Sequence, residues 1–207
     1  MDPGEFTVTI AQNGKTDSKA VSVQEDPRIT ISAEDRAKRR QAITRLISMT
    51  KQADEGRRKI VAIQTALTNL TEGWKRPGAP AIPDAIKKAA DDLLARAKTA
   101  AATFEAERQQ GAQLGAAGAP LTYTPPPVTQ KIMRLASSID GYVSAPTARQ
   151  MSDMEDASGQ LKEGLAAVAK VADDVPKLNK SMAEAGVPYF TIDTTNVPAA
   201  FGGRGGE

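Results

Sequence analysis

Leu46, Ala53, Ile60, Leu67 and Trp74 recur at intervals of seven, and Ala42, Met49, Gly56, Ile63 and Leu70 form a second series interleaved with the first. A four-three rhythm keeps all of these positions on one stripe of an α-helix. Ser32, with Asp35 three residues on, resembles a capping box in which Asp replaces Glu. The spacing therefore predicts a helix over 33–72. At ~1.5 Å per residue it would be about 60 Å long. An apolar stripe of that length needs other helices to cover it.

The rest of the chain supplies three. "GWKRPGAPAIP" is dense in helix breakers, and Pro83 suits a helix start. Ile86, Ala90, Leu93, Ala97, Ala100 and Phe104 then repeat the rhythm, which predicts a second helix over 83–110. "GAQLGAAGAPLTYTPPP" forbids regular structure and reads as a linker or surface loop. A third helix, 127–143, sets Val128, Ile132, Leu135, Ile139 and Tyr142 on one face. Ala145-Pro146 breaks it, and Thr147 is a good N-cap for a fourth helix running to about 185 and stopping at Gly186. Its expected stripe is Met151, Met154, Ser158, Leu161, Leu165, Val168, Ala172, Val175, Asn179 and Met182. Pro176 lies inside it and predicts a kink near Ala172, whose carbonyl loses its partner. The expected fold is mainly α: an antiparallel four-helix bundle of two long and two shorter helices. Its seams are rich in alanine and aromatics are 4% of the chain, so each contact buries little area and stability is spread along the length.

Before the first helix the period changes from helical to two. Residues 1–6, "MDPGEF", read as a vector-derived scar. From Phe6, Val8 and Ile10 alternate with Thr7 and Thr9, Asn13-Gly14 fits a type I′ turn, and Val21 and Val23 resume the alternation. A two-stranded hairpin is marginal alone in water. Residues 7–31 thus read as the last two strands of a truncated sandwich-like module, closed by Asp26-Pro27. The bundle occupies 32–186, and 187–207 is a partly disordered tail. Within that tail Tyr189 to Asp193 alternates well enough to lie against the hairpin as a third strand, while "FGGRGGE" is low-complexity.

Composition narrows the chemistry. With 207 residues the chain suits one domain with appendages. Twenty-seven basic against 25 acidic residues leave a net charge of +2, too small to steer the chain to nucleic acid or an anionic membrane. No apolar run approaches the ~20 residues that span a bilayer. There is no cysteine and no histidine, which removes disulfides, thiol nucleophiles, the usual general base and the common zinc ligands. Any chemistry must rest on carboxylates, lysine, arginine, hydroxyls or the backbone.

Arg36, Lys38, Arg39, Arg40 and Arg45, with Arg57, Arg58 and Lys59 further on, could form a polyanion patch. Glu34, Asp35, Asp54 and Glu55 interleave with them and no aromatic residue accompanies them, so a solvated, ion-paired helix face is the expectation. A single "GGRGG" in the tail is too little for an RNA-binding repeat. Carboxylates cluster at Asp91-Asp92, Glu105 and Glu107, Asp153, Glu155 and Asp156, and Asp173-Asp174. Acids from different helices can converge on a hard divalent cation. Adjacent residues on a helix point ~100° apart, however, and "SDMEDASG" lacks the ligand spacing of a calcium loop. Met49, Met151, Met154 and Met182 read as core filler, as do Tyr142 and Trp74, although Trp74 beside Lys75-Arg76 can also serve as an exposed contact. No nucleophile elbow, phosphate-binding loop or dinucleotide fingerprint is present.

The hairpin, Asp26-Pro27-Arg28 leading into a long alanine-rich helix, Pro146-Thr147 before the last helix and Pro176-Lys177-Leu178-Asn179 within it carry a resemblance over about 7–190. The chain resembles the C-terminal end of large bacterial proteins with BNR or sortilin-like β-propeller repeats, often labelled glycosyl hydrolases or relatives of photosystem II stability factors. The resemblance implies a helical region behind a small sandwich-like module, in a parent that is exported. It carries over no catalytic residue, because the propeller is absent here.

Two functions follow as expectations. One is a non-catalytic structural or interaction module, whose partner is the parent's own propeller or sandwich domain, or a second copy, with neither nucleic acid nor membrane as partner. It requires no cofactor. The alternative is a fragment with promiscuous hydrolase activity on activated phosphate or carboxylic esters, since a bisected sandwich is what a random genomic or metagenomic insert would give. Its means would be a divalent cation on carboxylate oxygens, a lysine or a tyrosine such as Tyr142. Catalytic residues and metal ligands cannot be named from the sequence.

Overall fold

A computed structural model describes residues 3–24, 26–105 and 125–192. Two strands, β1 (Gly4–Gln12) and β2 (Lys15–Val23), precede four helices: α1 (Ala33–Gly73), α2 (Asp84–Ala102), α3 (Val128–Asp140) and α4 (Ala148–Glu184). The helices form a bundle of two long members, of 41 and 37 residues, and two shorter ones, of 19 and 13.

The four helices fill only three positions in cross-section. Each of α2 and α3 packs on both α1 and α4, but the two do not pack on each other. Arg57 meets Glu105 beyond the end of α2, and Arg96 of α2 meets Asp174, so α2 runs against both long helices. Lys131 of α3 meets Gln160, and Ser138 meets Gln150, so α3 runs the same way as α2. Arg45 pairs with Glu155 while Gly56 faces Leu165, so α1 and α4 are parallel to each other. The path is up, down, up, with the downward helix broken in the middle.

That break has a local cause. Beyond Ala102 the N–H groups of Thr103 and Phe104 reach back to the carbonyls of Ala100 and Ala101, at 3.3 and 2.9 Å, which tightens the last turn. The Thr103 carbonyl then accepts the Val128 N–H at 2.8 Å, and the Phe104 carbonyl accepts the Thr129 hydroxyl. The first N–H of α3 thus satisfies a carbonyl at the end of α2. This corrects the expected helix over 83–110: α2 stops at Ala102, and 106–110 lie outside the described residues, as does most of the expected linker. Phe104 is fully buried and plugs the bundle axis at the break. A Cβ at Gly56 would come within 3.2 Å of its ring, and one at Gly164 within 3.1 Å. Two helix-interior glycines are tolerated here because the ring occupies the space of their side chains.

The seams of α1 and α2 follow the heptad reading, with Leu46, Met49, Ala53, Ile60, Ile63 and Leu67 facing Ile86, Ala90, Leu93 and Ala97 in one core. In α4 the reading needs correction. Met154, Leu161, Val168, Val175 and Met182 are buried as expected, but their companions are Ala157, Gly164, Val171 and Leu178. Ser158, Leu165, Ala172 and Asn179 are only half-buried, and Met151 is 40% exposed. The stripe is turned by one residue, which brings Gly164 onto Phe104. The helix continues through Pro176.

Ser32 accepts the Asp35 N–H at 3.0 Å, and Thr147 and Gln150 form a reciprocal capping box. After α4, Gly186 adopts φ +68° and Val187 tucks its N–H onto the Met182 carbonyl. Asn179 then bonds both backbone groups of Phe190. Residues 187–192 therefore fold back on α4, and the expected third strand from Tyr189 does not form; Asp193 and "FGGRGGE" lie outside the described residues.

Candidate interaction surface

In the hairpin, Asn13 (φ +49°) and Gly14 (φ +76°) make the two left-handed positions of the tight turn, and the register runs from Gln12↔Lys15 to Gly4↔Val23. The strand takes in Gly4, Glu5 and Phe6, three of the residues read as a scar. Opposite pairs place Phe6 against Val21, Val8 against Lys19 and Ile10 against Asp17 on one face. Thr9 and Ser18 share a hydroxyl–hydroxyl hydrogen bond of 2.9 Å on the other. No helix packs on either face among the described residues. Val8 and Ile10 remain 51% and 68% exposed, and among the described residues the sheet has two strands and hence two open edges.

The bundle holds its charges differently from the sequence expectation. Lys38 pairs with Glu34, and Arg58 with Asp54, along the helix as read. Arg39 and Arg45 instead reach other helices. Arg39 donates to the carbonyls of Asp140 and Tyr142, each at 3.0 Å, and to the Asp140 carboxylate, where a cation also favours the helix C-terminus. Arg45 makes a two-pronged contact with Glu155. Arg57 corrects the reading of a solvated face outright. It is 6% exposed, lying beside the seam with Asp54 at 3.6 Å and Glu105 at 3.2 Å. Gly56, the residue before it, lies against Leu165 of α4 and the Phe104 ring.

The acids do not gather. Glu155 and Asp174 are bound to cations from another helix, Asp153 to Arg149 on its own, and Asp91, Asp92, Asp156 and Asp173 lie exposed. No three of them converge on one point among the described residues. Glu107 lies outside those residues. Hydrogen bonds from Arg45 hold the Glu155 carboxyl below its ordinary range, and those from Lys177 and Arg96 do the same for Asp174. Tyr142, expected on the apolar face of the third helix, sits past its end and is 72% exposed. Trp74 is half-buried against the core, and Met49, Met154 and Met182 lie within it. No helix among the described residues is long and apolar enough to cross a membrane.

No family model, curated protein or solved structure matches the chain.

Proposed function

We propose that the chain is a non-catalytic helical interaction module, in which the bundle is a stiff arm and the hairpin is the element that joins a partner's β-sheet. The observation supporting this is the hairpin's exposed apolar row, Phe6, Val8 and Ile10 along β1 with Val21 across from Phe6, between strand edges left unpaired among the described residues. An added strand would satisfy the unpaired N–H and C=O groups of an edge. A covering sheet would remove the apolar face from water at about 25 cal/mol per Å². The partner of that chemistry is a sheet in another domain of a longer, exported bacterial protein, of the BNR or sortilin-like propeller kind or the sandwich-like module beside it.

Hydrogen exchange on the monomeric chain at low concentration tests the reading. The amides of 4–23 should exchange far faster than those at the centre of α1, because nothing yet covers them. Protection of the hairpin equal to that of the bundle, in a chain still monomeric by light scattering, would sink it. Protection that rises with concentration would identify a second copy as the occupant in place of another domain.

A further inference from the structure

Among the described residues, the broken middle helix leaves an open groove of about 680 Å³ between the end of α2, the prolines before α3 and the middle of α4. Small-molecule sites span roughly 300–1,000 Å³. The groove exists because Ala95, Ala100 and Ala167 present only small side chains where α2 and α4 face each other. Val128 and Val171 complete an apolar wall.

The two ends of the groove differ in charge. Glu163 and Lys131 stand at one end, where the Lys131 ammonium also donates to Gln160 at 2.6 Å. Arg96 and Lys170 stand at the other, about 10 Å further along α4 at ~1.5 Å per residue. Arg96 is held by Asp174 at 2.7 Å, but Asp174 already divides its charge between Arg96 and Lys177. Lys170 makes no ion pair among the described residues. The lining at this second end thus holds two cations and no carboxylate, with Asp173 and Asp174 outside it on the next turn of α4.

We propose that this groove binds a small amphipathic anion, an apolar chain or ring system ended by one carboxylate or sulfonate. Its body lies along Ala167 and Pro125–Pro127, and its head sits at Lys170 and Arg96. This goes beyond the hairpin's role and is independent of it.

Anilinonaphthalene sulfonate, titrated into the full chain by fluorescence, tests the assignment. The dye should saturate at one site per chain and be displaced by decanoate. Lys170→Glu, an exposed change that leaves the fold alone, should weaken binding about tenfold through reversal of the nearby charge. Ala167→Phe should abolish binding by filling the groove. The neutral analogue phenylnaphthylamine should bind the native chain and Lys170→Glu alike. Dye binding that survives both groove variants, or that disappears in Ile10→Thr, would overturn the proposal and put the dye on the hairpin.

Discussion

Bundle and hairpin are written with equally regular apolar periods, one of seven and one of two, and they end in opposite environments. Ile60, Ile63 and Leu67 in α1 are wholly buried, whereas Val8 and Ile10 in β1 face water. A period tells which side chains share a face, and whether that face is covered depends on what else the chain can bring to it. The helices are long enough to fold back and cover one another. Two strands alone cannot, since the side chains of a single sheet never meet across it.

The largest effect that would sharpen this contrast is at the centre of the bundle. Phe104→Ala should cost about 3–5 kcal/mol, through lost burial and the cavity left between Gly56 and Gly164. Ile10→Thr should change stability by less than ~0.5 kcal/mol, as for an exposed site. Urea unfolding followed by helical circular dichroism measures both, and a large loss for Ile10→Thr would mean that the hairpin is covered after all.

A smaller effect separates two glycines of the same helix. A Cβ at Gly164 would sit 2.8 Å from the Thr103 methyl and 3.1 Å from the Phe104 ring, whereas at Gly159 it meets nothing within 4 Å. Gly164→Ala should destabilise by about 1–3 kcal/mol through overpacking. Gly159→Ala should stabilise by up to ~1 kcal/mol from helix propensity alone. Melting temperatures moving in the same direction would show that the close approach at Phe104 can relax.

The smallest effect concerns pH. Glu155 and Asp174 have depressed carboxyl pKa values in the folded chain, with Arg45 the cause for the first and Lys177 then Arg96 for the second. Their contribution is fully present above the ordinary values of 4.5 and 3.8, and is lost as pH falls through the lower folded values. The melting temperature should therefore decline below those values, and Glu155→Gln with Asp174→Asn should flatten that decline. Both pairs are open to solvent, so added salt should shrink the difference. An unchanged acid limb in the double variant would place the pH sensitivity elsewhere.

Much of this architecture was legible in the residues. The helix positions, the Ser32 and Thr147 caps and the Asn13-Gly14 turn each follow from local chemistry. The turn of the α4 stripe is legible in polarity: Ser158 and Asn179 are poorer core residues than Ala157 and Leu178. Three features were not. Phe104 fits the rhythm of α2 so well that nothing local announces the end of the helix before it; the carbonyls there are claimed by residues 25 positions away. Burial of Arg57 comes with its pairing to Glu105, 48 positions away and past the end of α2, which is a tertiary fact. The groove arises from the break, so it was hidden for the same reason.

The parallel course of α1 and α4 has a mechanical consequence. The chain enters the bundle from the hairpin at one end and leaves α4 at the other, a helix length away. A pull between those two points would run along the helix axes and load the α1–α4 seam in shear, so that many side-chain contacts must yield together. In an arrangement whose first and last helices were antiparallel, the same pull would part the contacts one at a time, like a zip. A long, alanine-rich seam with modest burial per contact resists the first kind of load far better than the second.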